Sequence, residues 1–167
     1  MSLKTFDEIY TENYAKLHRV AVKMVCDKEN ASDIVQEVFM SLYNKFSDGK
    51  EVVYVSTWLY RATLNKCIDC LQRQKKFSTI EDLKENSFDV SVEDCSLEDK
   101  EKEAMIRLAL SKLKPKEQAL LILYSEGFSY KDISEATGIW FSSVGKMLAR
   151  TLEKMENQLK AQHYEMY

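Results

Sequence analysis

Cys67 and Cys70 stand three residues apart, a spacing that could seat a metal ion or form a redox pair. Placed on a helix, two such thiols share a face. A zinc site needs about four ligands, and the two histidines, His18 and His163, are distant in sequence. Cys67 also falls in an apolar helical stripe. The pair therefore reads as structural cysteine, with no metal and no cofactor expected. Catalytic chemistry finds no foothold elsewhere. The chain has no glycine-rich loop to cradle phosphate, no nucleophile elbow and no metal-protease helix. Its carboxylates crowd into one acidic stretch, where burial cannot tune their pKa values. The expectation is a protein that is not an enzyme and has no small-molecule substrate.

Three polar faces offer binding instead. The stretch Ala31 to Phe39 is amphipathic, and its polar side carries Asp33, Gln36 and Glu37 within one turn. Such a cluster is either a solvated surface or a docking face for another protein. Further on, Arg61, Asn65, Arg73, Lys75 and Lys76 make a basic face that could follow a nucleic-acid backbone, with Asn65 able to bond an unpaired base edge. Tyr54 and Trp58 could stack on bases, although Trp58 fits core packing equally well. Near the other end, Phe128 to Leu159 reads as a helix-turn-helix. Ile133, Ala136, Ile139, Val144 and Leu148 would hold its angle. The outward residues of its second helix are Ser143, Lys146, Arg150 and Asn157, with Met147 at the border. Lysine and arginine bond guanine edges or phosphates, and a serine at a helix start can bond a phosphate.

The elements that must position these faces are helices. Of 167 residues, 45% are hydrophobic and 31% charged, with only four glycines and one proline, so helix breakers are few. Thr5-x-x-Glu8 opens a first helix as a capping box, with Phe6, Ile9, Tyr10, Leu17, Val20, Ala21, Met24 and Val25 at helical spacing. Asn30 is the expected cap of a second, whose stripe is Ile34, Val35, Val38, Phe39, Leu42, Tyr43 and Phe46. Ser56 is the expected cap of a third, running to about Lys76, with Tyr60, Leu64, Cys67, Ile68 and Leu71 inward. Thr79 to Ser96 loses the period and is rich in Ser, Asp and Glu, the composition of a linker. A second helical block runs from about Leu97 to Leu113. Pro115 suits a first helical turn, Gly127 a stop, Ser129-x-x-Asp132 a further capping box and Gly138 another stop. Ser142 or Ser143 is the expected cap of a last helix burying Val144, Leu148, Leu152, Met155 and Leu159. The fold class expected is all-α. Two small helical domains, residues 1–76 and 98–167, are joined by an acidic linker, 77–97, and the second domain is a helix-turn-helix.

Charge refines the picture. The net charge is −3, yet residues 77–103 hold ten acidic against three basic residues, and the flanking blocks are each slightly basic. A DNA binder working alone carries a strongly basic footprint. This chain has none, so DNA contact is expected to need a partner. No apolar run reaches a membrane span. Residues 1–25 lack the pattern of a secretory signal, and four cysteines do not make a secreted disulfide framework. The expected compartment is the cytoplasm.

The chain resembles bacterial sigma factors of the extracytoplasmic-function class over nearly its whole length. Ala31-Ser-Asp-Ile-Val-Gln-Glu-Val-Phe39 is similar to the segment that docks on the clamp helices of RNA polymerase. Thr57-Trp-Leu-Tyr-Arg-Ala-Thr-Leu-Asn65 resembles the segment that melts and reads the minus-ten element. Gly127 to Gly138 and the helix after it resemble the domain that reads the minus-thirty-five element. The resemblance implies a transcription initiation factor whose partners are core RNA polymerase, promoter DNA and an anti-sigma factor. It makes Asp33, Gln36 and Glu37 polymerase contacts. It makes Trp58, Arg61, Asn65 and Arg73 minus-ten contacts, with Asn65 holding a flipped base. It makes Ser143, Lys146 and Arg150 minus-thirty-five contacts. It also implies that the acidic linker threads a basic channel later taken by the transcript. The reading helix departs from the family's usual Thr-Val-Lys-Ser-Arg-Leu: here it runs Ser143-Val-Gly-Lys-Met-Leu148, and the turn before it carries the bulky Trp140 and Phe141. Two rival readings remain: a stand-alone, dimeric helix-turn-helix regulator, and a thiol or zinc switch at Cys67 and Cys70.

Overall fold

The computed structural model describes residues 4–77 and 97–165. Among them are seven helices and no strand: α1 (Phe6–Val25), α2 (Lys28–Ser47), α3 (Val55–Phe77), α4 (Leu97–Ser111), α5 (Pro115–Ser125), α6 (Tyr130–Thr137) and α7 (Phe141–Glu165). The expected linker from Thr79 to Ser96 lies outside the described residues. The helices form two compact units, the first built on α1–α3 and the second on α4, α5, α7 and most of α6.

In the first unit all three helices pack against one another. Thr5 caps α1 as its sequence predicts: its hydroxyl accepts the Glu8 N–H at 3.3 Å, and the Glu8 carboxylate accepts the Thr5 N–H at 2.8 Å. Cys26 ends the helix at φ 56°, a left-handed conformation costly to a non-glycine residue. The next residue, Asp27, then caps α2 by accepting the N–H groups of Glu29 and Asn30 at 2.9 and 3.2 Å. Asn30 is therefore not the cap; α2 begins one turn earlier than its apolar stripe suggests. Ser56 is not a cap either, because α3 already starts at Val55. The core is Leu17, Val20, Met24, Val35, Val38, Leu42, Leu59, Leu64 and Cys67, all essentially inaccessible. Burial of each large aliphatic side chain contributes about 1.5–3 kcal/mol. Leu59 and Thr63 join this core although the α3 stripe omitted them. Tyr10 and Tyr43, assigned to stripes, are exposed.

In the second unit α5 is the central element. Residues 118–123 are all buried, and Gln118 survives burial because its amide donates to the Leu113 carbonyl at 3.0 Å. Pro115 opens this helix, and α7 packs on both α4 and α5. The helix-turn-helix is α6 and α7. Ser129 accepts the Asp132 N–H at 3.1 Å. Gly138 sits at φ 77°, a conformation that favours glycine. The turn is pinned by the Ser134 hydroxyl donating to the Ile139 carbonyl at 2.6 Å. The last helix begins at Phe141, so Ser142 and Ser143 lie inside its first turn rather than capping it; the Ser143 N–H donates to the Trp140 carbonyl at 2.8 Å. Val144 and Leu148 are buried, but Leu152 is 43% exposed.

Candidate functional site

The first face lies on α2. Ile34, Val35 and Val38 point into the core, so Asp33, Gln36 and Glu37 stand exposed on the opposite side. Glu37 accepts from Lys66 of α3 at 3.0 Å, an exposed pair that constrains the carboxylate without hiding it. The residues beside this cluster were not legible as surface. Gln36, Met40, Tyr43 and Asn44 of α2 join Phe6 and Tyr10 of α1 and Phe39 to line an open groove of about 300 Å³. Its wall is a chain of ring contacts, among them Tyr10–Phe39 at 4.7 Å and Phe6–Tyr43 at 5.4 Å between centroids. Acidic and amide groups thus border an apolar trough, a composition suited to gripping an amphipathic element of another protein.

The second face lies on α3. Trp58 is half-buried, while Arg61 and Asn65 are exposed, one and two turns on from it. Lys45 of α2 sits 5.8 Å from the Trp58 ring centre, a cation–π contact that the sequence did not reveal. It steadies the indole and adds a positive charge beside it. Among the described residues nothing binds the Asn65 amide. Arg73 is also exposed but lies about 12 Å further along the helix axis than Asn65. The structure therefore brings Trp58, Arg61, Asn65 and Lys45 together and leaves Arg73 apart from them. Cys67 and Cys70 share this helix. Burial pushes the Cys67 thiol up to about 12, with Cys70 adding to the effect. A thiol so held is neither a nucleophile nor a ready ligand. Among the described residues no group of three or more His, Cys, Asp or Glu is placed to hold a metal.

The third face lies on α7. Ser143, Lys146 and Arg150 fall on one side of the helix, Ser143 half-buried and the two cations exposed. Neither cation has a carboxylate partner among the described residues. Helix α6 lies against α7: a Cβ added at Gly145 would stand 3.3 Å from Cε2 of Tyr130. The turn residues Trp140 and Phe141 are 82% and 62% exposed.

Two stretches of the chain match known families. The family Sigma-70 region 2 matches residues 9–77, and the family Sigma-70, region 4 matches residues 103–155. The ECF RNA polymerase sigma factor SigE of Mycolicibacterium smegmatis is 25% identical over 95% of this chain, which spans 63% of that relative's length. The ECF RNA polymerase sigma factor SigM of Bacillus subtilis is 27% identical over 91% of this chain and 93% of its own length. The fold is shared with the sigma factor RpoE of Bartonella quintana, solved in complex with the anti-sigma factor NepR. The TM-score is 0.65 at 19% identity, covering 95% of this chain and 98% of that one. The chain belongs to the sigma-70 family, in its extracytoplasmic-function class. Sigma factors are the transcription initiation factors that direct RNA polymerase to promoters. No described helix is long and apolar enough to cross a membrane.

Proposed function

We propose that the three faces divide the work of initiation. Residues 1–76 form the module that docks on core polymerase through Asp33, Gln36 and Glu37. The same module opens the minus-ten element through Trp58, Arg61 and Asn65, with Arg73 following the backbone downstream. Residues 98–167 read the minus-thirty-five element through Ser143, Lys146 and Arg150, and residues 77–97 join the two. The observation that carries this reading is the exposed α3 group. An aromatic ring under a lysine, an arginine and an unbound amide, within two turns, are the parts needed to hold an extruded base. Unstacking costs a few kcal/mol, and new stacking plus hydrogen bonds offset it. The bond-making chemistry then belongs to the polymerase, and the protein works in the cytoplasm where polymerase is. An anti-sigma partner is part of the same reading, supported by the complex in which the Bartonella relative was solved.

The docking face is tested by Asp33→Lys with Glu37→Lys. Both side chains are exposed, and the lost Glu37–Lys66 pair is a surface pair worth about 0–1 kcal/mol. The variant is expected to fold, shown by an unchanged helical spectrum, and to lose affinity for core polymerase by at least tenfold. Unchanged affinity would remove these residues from the interface.

A further inference from the structure

Trp140 is the most exposed large apolar side chain among the described residues, and Phe141 beside it is 62% exposed. Free indole and phenyl surface in water is costly, and here it stands at the entrance to the reading helix. Phe141, Gly145 and Ala149 follow one another at steps of four along one flank of α7, beside the row of buried Val144, Leu148 and Thr151, with Phe141 and Ala149 exposed and Gly145 half-buried. Gly145 leaves a gap that the Tyr130 ring of α6 borders, 3.3 Å from where a Cβ would be. This flank of the reading helix is therefore an apolar and aromatic strip: Trp140, Phe141, the edge of Tyr130, and Ala149. Lys146 and Arg150 run alongside it, each one position on, with no carboxylate partner among the described residues.

We infer that this strip reads thymine methyl groups in the upstream promoter element, with Phe141 and Trp140 as the principal contacts. The inference rests on the assignment of α7 to that element. A surface that pairs apolar patches with unneutralised cations fits a polyanion that carries apolar groups. In the major groove the apolar feature is the C5-methyl of thymine, which alanine and phenylalanine contact directly. The two cations at the border are placed for phosphates or a guanine edge. At positions 145 and 147, glycine and methionine offer no side chain that can bond a guanine edge. The hydrogen-bonding capacity of the helix is thus small where its apolar area is large. Recognition therefore relies on methyl contact, and the upstream element of this protein carries thymines facing the start of α7.

The test uses holoenzyme, assembled from core polymerase and the full chain, on a promoter identified by its own run-off transcription. Each thymine of the upstream element is replaced in turn by deoxyuridine, which removes the methyl and leaves every hydrogen-bonding group in place. At one or more positions wild-type binding is expected to fall about fourfold, the factor for losing one buried methyl-sized group. Phe141→Ser and Trp140→Ser holoenzymes are expected to bind the thymine promoter more weakly and to be indifferent to that same replacement. Wild-type binding unaffected by every deoxyuridine would overturn the inference without touching the promoter-directed function. So would serine variants as sensitive to deoxyuridine as wild type. Absence of any promoter-directed transcript from wild-type holoenzyme would overturn both.

Discussion

Glu117 fastens the start of α5 to α7, and its removal has a calculable cost. Its side chain is only 15% exposed. One oxygen accepts the Lys114 backbone N–H at 3.2 Å, satisfying a donor at the helix start, and the other accepts from Lys154 at 2.6 Å. Burial pushes the carboxyl pKa up. The hydrogen bonds from Lys154 and the Lys114 backbone, with the charges of both lysines, outweigh it, and the pKa lies below its ordinary value. Losing a helix-start acceptor costs about 1 kcal/mol. The Lys154 pair adds at most about 1 kcal/mol, because the lysine is 53% exposed and screened by water. Glu117→Ala should therefore destabilise the second unit by about 2 kcal/mol at pH 7, and Glu117→Gln, which keeps an acceptor for the N–H, by about 1 kcal/mol. The pH dependence has a definite sign. A group with a depressed folded pKa contributes fully above its unfolded value, here 4.5, and the contribution disappears as pH falls through the folded pKa. The deficit of Glu117→Gln should shrink as the pH is lowered toward 3. Hydrogen exchange of the α5 amides, corrected for intrinsic rates, measures it at both ends. An equal deficit at both pH values would refute the electrostatic account.

Three further outcomes are expected. Thr63 is fully buried and its hydroxyl has no partner among the described residues, so Thr63→Val should stabilise the first unit by about 1 kcal/mol in urea unfolding; a loss of stability would show the hydroxyl to be bonded. Gly145→Ala should gain less than the full helix-propensity difference of about 1 kcal/mol, because the new Cβ meets Tyr130; in a Tyr130→Ala background the full gain should appear, and equal gains in both backgrounds would dismiss that contact. Cys67, buried and with its thiol held near 12, should resist alkylation at pH 8 in the folded protein while Cys26 and Cys70 react; rapid labelling of Cys67 would reopen the thiol-switch reading.

Much of the helical framework was legible because apolar spacing reports burial directly when a helix shows the core a single stripe. That holds for α2, where Asp33, Gln36 and Glu37 are placed outward by their neighbours alone. It fails for α3, whose buried arc is wider than one stripe and takes in Leu59 and Thr63. It fails in the opposite sense at Tyr10 and Tyr43, which have the right spacing but border a groove, and at Leu152, which stays exposed in the middle of α7. Helix starts were the weakest reading. Asp27, Asn30, Ser56, Ser142 and Ser143 are all capable caps by residue type, and only backbone geometry decides among them. Two features of the candidate sites lay beyond sequence: the Lys45–Trp58 contact, which joins two helices, and the Tyr130 ring beside Gly145, which gives a physical reason for a small residue there.

The central claim is that this chain gives core polymerase a promoter. The direct measurement is run-off transcription by core polymerase on a pool of genomic promoter fragments, with and without the protein. The account predicts transcripts that depend on the protein, start at defined positions and share two upstream elements. Specific duplex binding by the protein alone, with no protein-dependent transcript, would contradict it.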